Sequence, residues 1–569
     1  MKTWLEQLPT WAVGIAIVLT AMACHACLIA GGMVLHNSEW ATFLLVADAY
    51  RDGYRSALPF QNDYGGLTIT ALRALFTSVW DHFPPGPWHH ERGHMVFSYL
   101  ICPPLVALSA YAMLLRYFSR ATAVVLGLLC AVGLQAWARI YGNEFYPLML
   151  ICGFLFFALA AGTPYAFLSL PRTRLFMMGI LGGHALYATR ASQLFLAAVF
   201  VPWRDVFHAA RTLKGKLVTL GWLLFFSGFF LELFGRNVGV ILGHTIKMDG
   251  EPNIKAGMAV LCCSWFWPRR HQYLCKNTLS RCALLLGGLF VGLLPEILHW
   301  LSRGHLWTPR DFATYDFPQF MGIVGKLPQS FRSLVSGLQP FRAFEFADTG
   351  LGQHLCVVLS LFGFALMIRK AAKSRKFDAF LALAALNLYT YCRISTHFTE
   401  IAPARYLLPM TPAVIAALAL LLEDAWSSRR RWAAPAMLGL LTLFAGHHFF
   451  SRQRLAAEIK RTHYVEDLHQ IIETFRAANV DIVISNDFWY SNNLFVISHG
   501  TPRFWATWHN WGPLETKEKA EKTKRAGILL EKKRDLPYPR VHADLPTQRW
   551  RLTPLTVIGD HELYVGDAE

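Results

Sequence analysis

The chain has few charged residues for its length. Only 16% of its 569 residues are Asp, Glu, Lys or Arg, and 54% belong to the apolar set, whereas about a quarter of an average soluble chain is charged. The mean hydropathy is +0.32. This scarcity of charge excludes a disordered chain, a fibrous repeat and a purely cytosolic enzyme. The remaining class is a polytopic membrane protein with a smaller aqueous part.

Cysteine is absent from the last part of the chain. None of the 11 cysteines follows Cys392, so the polar tail has no disulfide framework. Most of the 11 cysteines lie inside apolar runs, where we expect them to be small buried side chains. The stretch Cys24-His25-Ala26-Cys27 lacks the order of a haem attachment site, in which the histidine follows the second cysteine.

Acidic residues are fewer than basic ones. The chain has 54 Lys and Arg against 37 Asp and Glu, for a net charge of +17. Many of the basic residues form short clusters between apolar runs, as the positive-inside rule expects of cytoplasmic loops. The excess charge therefore reports membrane topology, and it does not indicate a nucleic-acid partner.

The apolar runs predict a polytopic α-helical membrane protein with 11–13 transmembrane helices, because about 20 apolar residues cross a bilayer as a helix. The spans are predicted at 10–34, 94–115, 121–138, 147–162, 175–189, 192–203, 216–234, 282–301, 355–368, 379–392, 405–422 and 432–450. One more stretch, near 258–267, is either a full span or a re-entrant piece. No cleavage site follows the first run, so we interpret it as a retained anchor.

Placing the basic loops inside gives a cytoplasmic N-terminus. The outer regions are then 36–93, 139–146, the long loop 302–353, 393–404 and the tail. This divides the chain into a transmembrane domain at 1–450 and a small periplasmic α/β domain at 451–569. The tail pattern predicts a helix at 465–478, a strand at 480–484, an apolar run at 493–498, an exposed helix at 515–525, and later strands at 526–530 and 563–565.

The first outer loop carries acids close to the membrane boundary. Glu39 and Asp48 belong to a stretch, 39–52, that predicts an amphipathic helix along the membrane surface, and Asp63 follows it. A carboxylate held there can act as general base toward a hydroxyl. The alternative for Glu39 is structural: Asn37 or Ser38 caps the helix, and Glu39 stabilises its positive end.

Several stretches resemble the GT-C superfamily of membrane glycosyltransferases, in particular the bacterial group related to protein mannosyltransferases and aminoarabinose transferases. The stretches are Ser38-Glu39-Trp40-Ala41, Leu44-x-x-Ala47 followed by Gly53, Pro59-Phe60-x-x-x-Tyr64-Gly65-Gly66, the glycine-rich span at 287–295, Ala404-Arg405-Tyr406-Leu407-Leu408-Pro409 and Phe488-Trp489-Tyr490. The resemblance implies an inverting transferase at the outer face of a bacterial inner membrane. Such an enzyme moves a sugar from a polyprenyl-phosphate carrier to a hydroxyl of a glycan, lipid or protein.

The same resemblance implies roles for individual residues. Glu39 matches the second acid of the family's Asp-Glu-Ala motif, whereas Ser38 stands where the family often has Asp, so Glu39, Asp48 and Asp63 are rival bases in that order. Arg405, or more weakly Arg190 or Arg139, would bind the donor phosphate; the alternative for Arg405 is an ordinary residue at the end of a span that reaches lipid head groups. The residues expected to hold the acceptor or support the base are Tyr64, Glu144 and His397.

Metal ligation and transport remain alternatives. His89, His90, Glu91 and His94 resemble a ligand set, but their place just before the second span favours interfacial side chains, so the sequence predicts no metal ligand. Some members of the superfamily need a divalent cation and others do not. No P-loop or dinucleotide fingerprint occurs, which disfavours a nucleotide-sugar donor. A transporter or flippase of lipid-linked glycans, or a non-catalytic envelope assembly protein, are the competing functions.

Overall fold

The structure is a computed structural model. It describes residues 2–30, 44, 46–48, 50–51, 67–84, 89–134, 145–161, 170–189, 192–200, 220–221, 223–224, 227, 238–241, 244–247, 253, 256–257, 259–260, 263, 276–303, 317–336, 351–374, 379–394, 404–461, 464–485, 488–498, 500–506, 519–520, 522–531 and 550–568.

The N-terminal part is a bundle of apolar helices, which confirms the predicted polytopic helical class. Six helices among the described residues are long and apolar enough to cross a membrane: Thr10–Ala30, His89–Tyr117, Leu279–Leu298, Leu351–Lys373, Tyr406–Ser427 and Ala433–Glu458. Three shorter apolar helices accompany them at Arg120–Val132, Tyr146–Ala160 and Ala379–Leu388. The predicted total of 11–13 spans stays a prediction.

The remaining helices of the bundle fill the gaps between these spans. They are Lys2–Gln7, Thr68–Trp80, Arg172–Ala188, Gln193–Phe200 and Phe317–Ser336, with a 3-10 helix at Ala404–Met410. Two short antiparallel strands, β1 (Val238–Ile241) and β2 (His244–Lys247), pair with each other. The stretch predicted as a long outer loop at 302–353 thus contains a 20-residue helix.

The second span contains a local change of helical winding. Its helix His89–Val96 passes through a π-helical turn, Phe97–Ile101, into Cys102–Tyr117. Pro103 and Pro104 follow the turn after one residue, Cys102, and have no amide hydrogen to donate to the carbonyls four residues earlier. A wider turn accommodates that loss. The helix also begins five residues before the predicted start at 94, which places four more polar side chains on it.

Two glycine pairs bring two helices into backbone contact. Gly179 and Gly183 of Arg172–Ala188 face Gly288 and Gly292 of Lys276–Arg303. A Cβ atom on any of the four would lie 2.2–2.3 Å from a carbonyl oxygen of the other helix. Small residues four apart are the usual device for close helix packing in membranes. The predicted glycine-rich span is therefore built to receive a partner helix.

A buried arginine joins three helices at one end of the bundle. Arg452 is fully buried, donates to His25 Nε2 over 2.7 Å, and donates to the carbonyls of Val132 and Gly133. His25 in turn donates from Nδ1 to the Ala21 carbonyl over 2.8 Å. The first span therefore ends beside the end of Arg120–Val132, at the same level as the latter part of the last long helix. We call this end of the bundle the first-loop face.

The C-terminal part is a small α/β domain, as predicted. The last long helix, Ala433–Arg461, continues 11 residues past the predicted end at 450, and the predicted helix of the tail is found at Tyr464–Ala477. A second helix, Phe488–Ile497, contains most of the apolar run at 493–498. The five strands are β3 (Ile482–Ser485), β4 (Arg503–Ala506), β5 (Arg525–Glu531), β6 (Trp550–Ile558) and β7 (His561–Ala568).

The sheet of this domain has the strand order β4-β3-β5-β7-β6. The first three strands are parallel, while β7 runs antiparallel to both of its neighbours. Alternate residues of β3 face two cores: Val483 packs with Phe475 of the helix, and Ile482 and Ile484 pack with Ile528 on the opposite side. The sequence predicted β3, β5 and β7 but neither β4 nor β6.

Candidate functional site

Three side chains with metal-ligating atoms meet at the first-loop face. Asp48 comes from a short helical segment of the first loop, and His90 and His94 come from the start of the second span. His90 Nε2 lies 3.2 Å from Asp48 Oδ2 and also 3.2 Å from His94 Nε2, while His94 Nε2 lies 3.6 Å from Asp48 Oδ1. The histidines are four residues apart and share one face of the helix.

The cluster is shielded from solvent to different degrees. His94 is fully buried, and about a third of the Asp48 side chain is exposed. Burial raises the pKa of the Asp48 carboxyl, but hydrogen bonds and charge interactions with His90 and His94 lower it more, so that its pKa falls below the ordinary value. Asp48 is therefore a carboxylate at neutral pH and a weak proton acceptor.

Ion pairs next to the cluster join the first loop to the second span. Arg51 lies 4.0 Å from Asp48 Oδ1 and forms an ion pair with Asp81, whose Oδ1 lies 4.0 Å from His89 Nε2. Trp80 donates from Nε1 to the His89 carbonyl over 2.8 Å, and the two rings stack with centroids 5.6 Å apart. The helix Thr68–Trp80 is thus fastened to the start of the second span.

Gly93 and Arg73 lie where the helix Thr68–Trp80 packs against the second span. A Cβ atom on Gly93 would lie 2.7 Å from the Trp80 ring, so a larger side chain would push the two helices apart. Arg73, on the inner face of Thr68–Trp80, is fully buried with its guanidinium 5.2 Å from the Phe97 ring centroid. Its charge also acts on His94. A buried cation is costly unless other groups pair with it or accept its hydrogen bonds.

The end of the first loop is held by a second polar group. The Leu67 amide donates to the Tyr187 hydroxyl over 2.9 Å, and Thr68 Oγ1 lies 2.8 Å from His184 Nε2. His184 Nδ1 lies 3.3 Å from the Gly292 carbonyl, and the buried Glu296 carboxylate interacts electrostatically with the Tyr187 hydroxyl. The chain directly after the Tyr64-Gly65-Gly66 motif is therefore anchored on the glycine-packed helix pair.

The structure describes few of the predicted site residues. Asp48 is described in full, and Arg405 lies on the 3-10 helix Ala404–Met410, with its side chain outside the described residues. The others lie outside the described residues: Glu39, Asp63, Arg190, Arg139, Tyr64, Glu144 and His397. Their roles stay predictions.

The cluster contains residues that the sequence analysis set aside. His90 and His94 stood out as a ligand-like pair, and their four-residue spacing on a helix was the signal. The interpretation as interfacial side chains is wrong for His94, which is buried inside the protein. No local pattern marked Arg73, His184 or Glu296, because each is one polar residue in an otherwise helical stretch.

The cluster has the chemistry of a divalent-cation site. Two imidazoles and one carboxylate are a common ligand set for transition metals, and their donor atoms all lie within 4.8 Å of one another. Asp48 Oδ1 has no hydrogen-bond donor within 3.5 Å among the residues that the structure describes, and His94 Nε2 lies 3.6 Å from it. The residues present therefore fit a bound cation.

Comparison with known proteins gives distant structural similarity. No family model and no curated protein sequence matches the chain. The archaeal oligosaccharyltransferase AglB from Archaeoglobus fulgidus, in complex with an inhibitory peptide and a dolichol-phosphate, shares 12% identity at a TM-score of 0.45, over 92% of this chain and 69% of that chain. The same organism's oligosaccharyltransferase in complex with Zn and sulfate shares 13% identity at 0.47, over 91% and 68%. The apo form of that oligosaccharyltransferase shares 12% identity at a TM-score of 0.46, over 93% of this chain and 70% of that chain.

Proposed function

We propose that the protein is a membrane glycosyltransferase that moves a sugar from a polyprenyl-phosphate carrier to an acceptor hydroxyl at the outer face of a bacterial inner membrane. The observation that carries the proposal is the junction of the first loop with the second span. There a carboxylate, two histidines and the buried cation Arg73 meet at the end of the apolar bundle. A lipid-borne donor and a water-borne acceptor would both reach this level.

The location of the C-terminal domain supports the same orientation. The last long helix contacts the first span through Arg452 and His25, so the chain enters the domain on the first-loop face. His469 of the domain is within the electrostatic range of Glu91 on the second span. With the basic loops inside, this face is periplasmic, and the domain would cover the site or help to select the acceptor.

In the proposed reaction a first-loop carboxylate removes the proton of the acceptor hydroxyl. The hydroxyl oxygen attacks the anomeric carbon, the bond from that carbon to the phosphate oxygen breaks with inversion, and the lipid phosphate leaves with the electron pair. Phosphate is a competent leaving group, so no separate acid is needed. Arg405 is proposed to stabilise its charge through bidentate hydrogen bonds.

Among the rival bases, the environment of Asp48 favours Glu39. The contacts with His90 and His94 hold the pKa of Asp48 below its ordinary value, and a weak base is a poor proton acceptor for a hydroxyl. We therefore assign Asp48 to the support of the site and propose Glu39 as the base, with Asp63 as the next candidate. Tyr64, Glu144 and His397 stay proposed acceptor or support residues.

The test is sugar transfer in membranes. A radiolabelled polyprenyl-phosphate-sugar pool would be incubated with wild type, Glu39→Gln and Asp63→Asn at matched expression. Glu6→Gln is the control, since Glu6 is an exposed acid of the N-terminal helix. We expect wild type and Glu6→Gln to transfer equally and Glu39→Gln to lose about a hundredfold or more, which is the usual range for a general base.

The outcomes separate the competing functions. Unchanged transfer by Glu39→Gln together with loss in Asp63→Asn would move the base to Asp63. If wild type transfers nothing from any polyprenyl-phosphate-sugar while it moves lipid-linked glycans across the bilayer, the transferase proposal is wrong and the flippase alternative holds.

A further inference from the structure

We propose that Asp48, His90 and His94 form a site for a divalent transition-metal ion of the zinc type, which fastens the first loop to the second span. The inference does not depend on the proposed sugar transfer, since it concerns only how three side chains are held together. It goes beyond a general cation requirement because it names the ligands and the class of metal.

The spacing of the donor atoms fits a metal ion. In a tetrahedral zinc site with bonds of about 2.0–2.1 Å, neighbouring donor atoms lie about 3.3 Å apart. The measured separations are 3.2 Å from His90 Nε2 to Asp48 Oδ2, 3.2 Å between the two Nε2 atoms, and 3.6 Å from His94 Nε2 to Asp48 Oδ1. Since the two histidines approach different oxygens of Asp48, these separations suit an ion bound by both carboxylate oxygens and the two nitrogens.

Protons alone cannot satisfy these contacts. If His90 Nε2 carries the proton, it donates to Asp48, but the lone pair of His94 Nε2 then faces the carboxylate oxygen. If His94 Nε2 carries the proton, the lone pair of His90 faces the carboxylate. If both nitrogens are protonated, both can donate to the carboxylate, but two N–H dipoles of the same orientation then lie side by side with their nitrogens 3.2 Å apart. Each arrangement leaves one repulsive contact, whereas a cation between the donors attracts all three.

The ligand set and its neighbours select the class of metal. Imidazole nitrogens suit zinc and related transition metals, whereas magnesium and calcium prefer oxygen ligands. Two arginines lie nearby: Arg51 is 4.0 Å from Asp48 Oδ1 but paired with Asp81, and the charge of Arg73 acts on His94. This positive field disfavours an ion held by charge alone and favours one held by coordinate bonds to nitrogen.

The position of the ligands gives the site its structural consequence. His90 and His94 are on one helix, while Asp48 precedes His90 by 42 residues and belongs to a segment whose residues Leu44, Val46 and Ala47 are fully buried. A metal bound to all three residues would hold this segment against the second span. It would thereby fix the part of the first loop that follows Glu39.

The test is metal binding by the full chain purified in detergent. Protein stripped with a chelator would be titrated with Zn²⁺ in the presence of millimolar Mg²⁺, and bound zinc would be measured per chain. His94→Gln and Asp48→Asn remove ligands, and His82→Gln is the matched control, because His82 is an exposed histidine of the same region. We expect one zinc more per chain in wild type and His82→Gln than in the two ligand variants. Loss of a ligand should weaken binding by about a hundredfold or more, since loss of a supporting residue alone costs about ten- to a hundredfold.

A second variant keeps the test decisive if a ligand variant fails to fold. His90→Cys retains a ligand, and with Co²⁺ it should show a thiolate-to-cobalt absorption band that wild type lacks. Equal zinc content in wild type and folded His94→Gln, or a His90→Cys spectrum identical to that of wild type, would overturn the proposal. Those results would leave the cluster as a hydrogen-bonded group of side chains.

Discussion

Two buried polar clusters lie at the same end of the bundle and differ in how well their atoms are satisfied. Arg452 donates to His25 Nε2 and to two carbonyls, and His25 donates from Nδ1 to the Ala21 carbonyl, so donors and acceptors match. In the Asp48 cluster, no arrangement of protons makes all three contacts favourable. The Arg452 cluster is what stability alone would produce, and the Asp48 cluster is typical of a ligand-binding site.

The largest expected loss of stability comes from disrupting the hydrogen-bonded cluster around Arg452. Arg452→Met should leave the carbonyls of Val132 and Gly133 buried without a partner, at about 1–3 kcal/mol each. We therefore expect a large drop in melting temperature, or failure to purify as a single species. Arg454→Met is the matched control, because Arg454 is an exposed arginine two residues along the same helix. Equal melting temperatures for the two variants would show that the Arg452 contacts do not stabilise the bundle.

The helix contact through Gly288 gives the next largest expected loss of stability, and it tests a closely packed part of the bundle. Gly288→Ala would place a Cβ atom 2.2 Å from the Phe176 carbonyl oxygen, so the two helices must separate. Gly287→Ala is its neighbour on the same helix and meets nothing within 4 Å. We expect Gly288→Ala to lower the melting temperature strongly and Gly287→Ala to leave it unchanged or raise it slightly, since alanine favours helix by about 1 kcal/mol over glycine. Similar melting temperatures would contradict the packing.

The same contrast explains what the sequence could predict. Apolar length alone located the six long spans, whereas the glycines at 288 and 292 stand out in the sequence only through a family resemblance. Their partner helix could not be found this way, because Gly179 and Gly183 lie more than 100 residues earlier. The helix Phe317–Ser336 was missed because its apolar residues form a stripe instead of the continuous run that a span requires.

The candidate site was less accessible to sequence reasoning. Asp48 was singled out for its closeness to the membrane, and the His90–His94 spacing was visible, but nothing local shows that the two meet across 42 residues. The burial of His94 depends on the packing of the first loop over the second span. Tertiary contact therefore decided the interpretation of these histidines, as it did for Arg73.

The Asp48 cluster should respond to mutation more weakly than the Arg452 cluster. In protein stripped of metal, Asp48→Asn loses the charge interactions with His90 and His94 that lower the pKa of Asp48, but the set of contacts also includes a repulsive one, so we expect a smaller fall in melting temperature than Arg452→Met gives. Added Zn²⁺ should then raise the melting temperature of wild type and not of Asp48→Asn, because a ligand that binds only the folded state stabilises it. A large loss of stability in the metal-free variant would mean that the atoms of the Asp48 cluster are as well satisfied as those around Arg452.

The smallest effect concerns the contact between the C-terminal domain and this junction. Burial lowers the pKa of His469, while the neighbouring carboxylates of Glu91, Glu473 and Glu466 raise it and Arg476 lowers it further, with a net shift downward. The folded state therefore binds fewer protons than the unfolded state, so the stability from this group is present above its unfolded pKa of about 6.5 and is lost as the pH falls below that value and through the lower folded pKa. Between pH 7.5 and 5.5 the melting temperature of wild type should fall by about 1–2 °C more than that of His469→Gln. If the difference has the opposite sign, the nearby carboxylates outweigh burial, and the second-span Glu91 attracts the domain in its protonated form.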